Sequence, residues 1–347
     1  MLLIRKANRQ VMETLITLEI CSTENGPLNE SKKNYKIEND PTKLRQKPIF
    51  IWVISIVQIL VFMFELARNW VLTGNPVEIT SSFNPNIGPS LPVLIYMGAR
   101  FSPCIHGITD QKFYAVLCSN YTNSMEHILC NLNELCGLTA HQWFRFIIPI
   151  FLHTGLVHVS LNVLTQLIIG TRIEMKNGTC RAVVVYFISG IFGLILDTNF
   201  VHNGFVTVGC SGSLFGLVAL HLLNILYDWH HGSCPALLTV MLDVIVTFAI
   251  GLLPSISNFN HIGGFVMGLC TSMMVLAQPK RFRSNNWWIL RYVVSLIVIG
   301  MFIFSVENVY SRKFRCSWCK YLDCLPIQNW CEIGYLIINE TVDATLV

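Results

Sequence analysis

Charge is what this sequence has least of. Asp, Glu, Lys and Arg together make up 13% of 347 residues, about half the share of an ordinary soluble domain. A disordered chain needs many charges and few apolar groups, and a soluble enzyme needs a solvated polar surface. Both classes therefore fit poorly. A strong excess of one sign is missing too: 24 basic against 20 acidic side chains leave a formal net charge of +4. No broad basic field exists by which nucleic acid would be held. Metal-ligand spacing is also scarce. Cys316-x-x-Cys319 has no second CxxC and no His pair behind it, so a disulfide is the better reading than zinc, and no metal or other cofactor is expected.

Apolar side chains are what the chain has in abundance, at 53% with a mean hydropathy of +0.53. They fall into seven runs, at about 49–71, 146–170, 181–198, 206–227, 236–254, 260–278 and 287–306. Each has about 18–25 residues, enough to cross the ~30 Å hydrocarbon core as a helix. The pattern predicts an all-α polytopic membrane protein. The first run follows 48 mostly polar residues, too far in for a cleavable signal peptide, and is expected to be a true anchor.

Orientation follows from the basic residues. With seven spans, the N-terminal tail and the 2–3, 4–5 and 6–7 loops share one side and carry 16 Lys and Arg, against 7 on the other. The positive side is the cytosolic one. The division expected is a cytosolic tail 1–48, a six-helix core 49–278 with a long outer loop 73–145, a basic loop and seventh span 279–306, and a Cys-rich lumenal or extracellular tail 307–347. The thirteen cysteines sort by the same rule. Cys104, Cys118, Cys130 and Cys136 in the long loop and Cys316, Cys319, Cys324 and Cys331 in the tail make an even outer set. In an oxidising compartment that set forms up to four disulfides. The acceptors Asn120-Tyr-Thr and Asn339-Glu-Thr fall on the same side, whereas Asn177-Gly-Thr falls inside and should stay bare.

Polar residues within spans are costly and are candidate functional groups. In the second run His158 and Asn162 are four apart and share one helix face. They serve either as interhelical hydrogen-bonding glue or as two donors aimed at one point. His153, five before His158, is expected to serve the loop above. The fourth run opens Gly209-Cys-Ser211-Gly212, which places Ser211 at a helix N-terminus suited to an oxyanion. Gly212-xxx-Gly216 is also a small-residue packing face. The sixth run opens with His261-x-x-Gly264-xxx-Gly268. Glycine faces on the two helices would pack closely and bring His261 within reach of Ser211, pairing a nucleophile with its base. Asp243 is expected to lie far from them, so a dyad without a carboxylate is the simpler constellation. His158, Asn162 and the Ser211 N–H would form its oxyanion hole. Glu65 and Arg68, three apart in the first run, are expected to pair within their helix.

Taken together, His153-x4-His158-x3-Asn162, Gly209-x-Ser211-Gly212 and His261-x2-Gly264-x3-Gly268 closely resemble the rhomboid family of intramembrane serine proteases, over roughly residues 140–280. The resemblance implies a six-helix rhomboid core plus a seventh C-terminal transmembrane helix. It implies Ser211 as nucleophile, His261 as general base, and His158 and Asn162 as oxyanion ligands. Glu174 matches the family's acidic residue after the second helix and has a structural part. Trp143-Phe144-Arg145 resembles the family's Trp-Arg loop motif, with Arg145 at the matching distance. Phe215 stands where the family usually has Tyr under the imidazole, able to stack but not to donate a hydrogen bond. The seventh span and the tail cysteines resemble secretory-pathway members of fungal type, in the endoplasmic reticulum, Golgi or plasma membrane. The implied partners are the lipid bilayer and single-pass transmembrane substrates cut near the outer membrane face. A catalytically inactive rhomboid-like adaptor for membrane clients is the alternative.

Overall fold

The structure, a computed structural model, describes residues 47–78, 86–106, 115–119, 127–131, 135–137, 142–201, 204–228, 233–252, 256–277, 286–314, 316 and 318–323. The expected N-terminal tail, the loop 278–285, both outer sequons and Cys324 and Cys331 lie outside these residues, apart from Lys47 and Pro48.

Seven long helices stand where the seven apolar runs are: α1 (Ile49–Thr73), α4 (Leu156–Asn177), α5 (Thr179–Phe200), α6 (Ser211–Tyr227), α7 (Ser233–Ile250), α8 (Asn258–Val275) and α9 (Trp287–Ser311). The short helices α2 (Leu91–Tyr96) and α3 (Ser102–His106) lie in the connection after α1, and α10 (Lys320–Asp323) follows α9. The strands β1 (Arg100–Phe101) and β4 (Val206–Thr207) form one antiparallel ribbon, and β2 (Ala115–Ser119) and β3 (His127–Asn131) another. Four helices, α1, α4, α5 and α9, have 22–25 residues and are apolar enough to cross a bilayer. In lipid a backbone must satisfy its own hydrogen bonds, which is why apolar runs of this length become helices. The chain is an all-α, multi-pass membrane protein.

The helices divide by burial. Along α1, Ile51, Ile54, Ser55, Gln58, Phe62, Glu65 and Asn69 face inward at helical spacing, while Trp52, Val53, Ile56 and Leu60 face outward. α9 is still more peripheral, with Val294, Val298, Ser305, Asn308 and Val309 its buried residues. α6 is the opposite case, buried from Gly212 through Leu220 and again over Leu222–Ile225. It has 17 residues, about 26 Å, and the chain enters it through the buried segment Gly204–Cys210. Non-helical backbone is tolerated at membrane depth only when protein encloses it, as here.

Two helix starts differ most from the sequence expectation. The second span begins at Leu156 rather than near 146. Residues Trp143–Phe146 and Ile148–Ile150 are 3-10 turns, since Pro149 has no N–H for a longer helix. His153 therefore lies ahead of α4, not on it. The fourth span begins at Ser211 rather than 206, because Val206 and Thr207 pair with Phe101 and Arg100.

Glycines set the closest contacts. A methyl added at Gly264 would sit 2.1 Å from the Gly212 carbonyl oxygen, and one at Gly268 2.5 Å from the Gly216 Cα. α8 thus lies directly on α6. Gly263 meets Gly193 in the same way, 2.9 Å from an added Cβ to its Cα, and brings α5 against α8. Close backbone approach through small residues is how helices adhere where lipid offers no hydrophobic drive.

A polar network spans the other side of the core. Gln58 Nε2 donates to Tyr186 Oη (3.0 Å) and to the Ile150 carbonyl (3.1 Å), Tyr186 donates to Gln166 Oε1 (2.9 Å), and Gln166 Nε2 donates to Ser55 (2.7 Å) and Gln58 (3.1 Å). Every member is satisfied, the condition under which buried polar groups order a core rather than weaken it. Gln166 also opens the π-turn at Gln166–Gly170 inside α4.

Candidate active site

Ser211 is the first residue of α6, and Gly209 just before it has φ +112°, a backbone setting that an L side chain adopts only under strain. Its N–H donates to the Pro149 carbonyl at 2.8 Å. This turn delivers the chain into α6 with the Ser211 hydroxyl facing α8. His261 sits on the first turns of α8, and its Nε2 lies 2.8 Å from Ser211 Oγ. Phe215, one turn along α6, stacks on the imidazole at 4.7 Å between ring centroids and 26° between planes. The helix that carries the hydroxyl thus also carries the face on which its partner ring rests.

The second ring nitrogen of His261, Nδ1, is buried and bonds no protein group. Asp243 stands exposed on α7. Asp197, at the end of α5, is occupied elsewhere: it forms a fully buried ion pair with Arg100 at 2.7 Å, accepts from Thr207 at 2.7 Å, and accepts from the Ser257 hydroxyl. Ser257 in turn is the N-cap of α8 and accepts the Asn260 N–H at 3.4 Å. Asp197 therefore holds the start of the His261 helix without touching the ring. Arg100 completes this cluster by donating to the carbonyls of Phe205 (2.9 Å) and Asp197 (2.7 Å). In the sequence Arg100 counts only as one of the seven basic residues on the outer side. The available signal was an arginine and an aspartate flanking apolar runs, and their pairing crosses 97 positions.

Two further side chains converge on the same spot from α4. A Cβ placed on Gly209 would lie 2.7 Å from His158 Cε1, 2.8 Å from its Nε2 and 3.4 Å from Asn162 Nδ2. The donors of His158 and Asn162 thus both border the space above Gly209, two residues before the hydroxyl. His158 Nδ1 is engaged with Thr154 Oγ1 at 2.9 Å, which leaves Nε2 turned inward. Asn162 Nδ2 is buried and uses no protein acceptor. Two donors beside a hydroxyl in contact with an imidazole, at a helix N-terminus, are a geometry able to stabilise a developing oxyanion.

The remaining candidates support this frame. His153 is fully buried, its ring edge-on to His158 at 5.3 Å, and its N–H donates to Glu65 Oε1 at 3.1 Å. Glu65 does not pair with Arg68, whose guanidinium lies 5.3 Å over the Tyr96 ring instead. Burial takes Glu65 inward, while the position three residues on faces the connection to α2. Glu174 lies within α4 rather than after it, and accepts the N–H groups of Phe50 (3.0 Å) and Ile51 (2.9 Å) and the Thr179 hydroxyl (2.7 Å). It supplies the cap that Pro48 cannot. Arg145, buried, donates at 2.7 Å to the carbonyls of both Ile95 and Ala99 and at 2.5 Å to Gln142, fixing the loop beside the site, while Trp143 is exposed.

Of the outer cysteines, Cys104–Cys136 and Cys316–Cys319 are disulfides, so the CxxC pair is closed on itself. The side chains of Cys118 and Cys130 lie outside the described part. Cys234, in the first turn of α7, is disulfide-bonded as well, whereas Cys180, Cys210 and Cys270 are free. Among the described residues no three metal-ligating side chains gather.

Comparison with known proteins bears on most of the chain. The Rhomboid domain family model matches residues 140–278, the stretch that contains α4 through α8. "Rhomboid-type serine protease 2" of Emericella nidulans is 32% identical over 89% of this chain and 75% of its own. "RHOMBOID-like protein 2" of Arabidopsis thaliana is 34% identical over 55% of this chain and 66% of its own. "Inactive rhomboid protein 1" of Danio rerio is 30% identical over 60% of this chain and 26% of its own.

Proposed function

The chain belongs to the rhomboid family, and from that premise we propose that it is an active intramembrane serine protease with a Ser211–His261 dyad. The observation that carries the reading is the 2.8 Å contact between His261 Nε2 and Ser211 Oγ, beside two inward donors. His261 takes the hydroxyl proton as Ser211 Oγ attacks a peptide carbonyl, and the ring then protonates the leaving amine. The oxyanion is held by His158 Nε2–H, Asn162 Nδ2–H and the Ser211 N–H at the head of α6. Water, activated by the same imidazole, then hydrolyses the acyl-enzyme. The Phe215 stack fixes the ring plane, Gly212, Gly264 and Gly268 fix the distance between α6 and α8, and Gly209 lets the turn into α6 pass close to His158. Substrates are single-pass membrane proteins whose helix unwinds at the Ser211 end of the bundle. On the reading of charge and cysteines that end faces the lumen or exterior of the secretory pathway, with the N-terminus in the cytosol.

Cleavage of a transmembrane reporter in reconstituted vesicles tests this. Wild type is expected to cut it and to label with a fluorophosphonate. Ser211→Ala and His261→Ala are each expected to abolish cutting at unchanged expression. Cleavage surviving in either variant sinks the reading. Similarity to an inactive rhomboid protein supports a second one, an adaptor that binds membrane clients without cutting them. It is favoured if Ser211 fails to label while clients still co-purify.

A further inference from the structure

The tail beyond the last membrane helix returns to the helix that carries His261. α9 ends at Arg312 in the left-handed region. The Asn308 side chain then turns the chain back, its Oδ1 accepting the Phe314 N–H at 2.8 Å and its Nδ2 reaching Asn199 at 2.8 Å. The Cys316–Cys319 disulfide closes a small loop, and Cys319 is buried with Val201, Phe205 and Phe259. Phe259 is the second residue of α8. One turn further, the tail meets α8 by hydrogen bonds. Asp323 Oδ1 accepts the Asn258 N–H at 3.0 Å, and the Leu322 carbonyl accepts from Asn258 Nδ2 at 2.9 Å. Asn258 Nδ2 also reaches the Phe248 carbonyl of α7, at 3.3 Å. So Asp323 and Ser257 each take one free N–H of the first turn of α8, and His261 lies three residues, about 4.5 Å of rise, further along.

We propose that Asp323 is a positioning residue for the general base. Its carboxyl group, carried by the disulfide-closed tail, clamps the amino end of α8 and so sets the reach of His261 toward Ser211. The inference rests on the protease reading for its consequence, though not for its geometry. A helix end held by a side chain from outside the helix frays less, and a catalytic pair tolerates little misplacement. Among the described residues the charged groups facing Asp323 are Asp197 from α5 and Arg100 from β1. α7 presents Phe248, and α8 presents the uncharged Ser257 and Asn258. Burial, and then Asp197, push the Asp323 acid up to about 7, against the pull of Asn258, Arg100 and Ser257. A free tail carboxyl titrates near 4, so the docked group holds a proton that the released one gives up. Docking is therefore strongest at acid pH, weakens as pH rises from about 4 toward 7, and changes little above that.

The test uses the full-length protein in nanodiscs with two variants. Asp323→Ala removes the acceptor, whereas Asp323→Asn keeps an acceptor oxygen and cannot ionise. In a Ser211→Ala background, amide exchange over 256–261 is expected to rise severalfold with Asp323→Ala and to stay near the parent with Asp323→Asn. With Ser211 present, Asp323→Ala is expected to lower kcat about ten- to a hundredfold with little change in KM. The kcat ratio of Asp323→Asn to wild type is expected to climb as pH rises from about 4 toward 7 and then level off. The dyad itself is common to both proteins and cancels in that ratio. Unchanged exchange with Asp323→Ala, undiminished kcat, or a ratio flat with pH would each overturn the proposal. A wild type that cuts nothing overturns the protease reading alone, since the exchange measurement still decides the clamp.

Discussion

Gly209 is held in its turn by two constraints at once. Its φ of +112° excludes a side chain on backbone grounds, and the His158 ring excludes one on steric grounds at 2.7 Å. Gly209→Ala should therefore displace His158 and lower kcat by at least about tenfold, read in the reporter assay with the folded fraction measured in parallel. Asn162 is a cleaner probe of the oxyanion. Its Nδ2 has no protein acceptor to lose, so truncation leaves no group orphaned in the resting state. Asn162→Ala should cost about 10²–10³ in kcat at nearly constant KM, and an equal loss spread into KM would instead mark it as a substrate-binding group.

Between elements, backbone contacts carry the packing. α8 lies on α6 through Gly264 and Gly268, and a Cβ at Gly264 falls 2.1 Å from a carbonyl oxygen that has no room to retreat. Gly264→Val should lower resistance to denaturant by about 3 kcal/mol and part His261 from Ser211, observed as a lost unfolding midpoint together with lost activity. The buried Arg100–Asp197 pair ties β1, β4, α5 and the cap of α8 into one joint. Removing one partner strands the other charge. Arg100→Met alone should destabilise by about 3–5 kcal/mol, and Arg100→Met with Asp197→Leu by distinctly less. Equal losses in the single and double variants would show that packing, not charge, dominates there.

At the scale of the molecule, the exposed aliphatic faces of α1 and α9 and the enclosed polar core assign the outside to lipid and the inside to chemistry. The sidedness read from charge makes its own prediction. Asn120 and Asn339 should carry N-glycans and Asn177 none, so Asn120→Gln and Asn339→Gln should each remove one glycosidase-sensitive mobility step. A shift lost with Asn177→Gln would invert the topology. The position of Asn177 at the end of α4, buried and bonded to the Ile173 carbonyl at 3.0 Å, also disfavours modification there.

Seven apolar runs and three polar motifs were legible in the chain because helix length and period are local properties. So were the glycine faces, since four-residue spacing alone puts two small residues on one side of a helix. What the chain could not disclose were the pairings across it. Pro149 and the β1–β4 ribbon moved two helix starts, since a run of apolar residues does not say where its backbone stops being helical. Glu65 went to His153 and not to its helical neighbour Arg68. Arg100, Asp197, Ser257 and Asp323 were scattered as a basic loop residue, a span-edge acid, a serine and a tail acid. Burial costs a lone charge or N–H so much that each must find a partner. Which partner is decided only when the folded bundle brings separate segments to one end of α8.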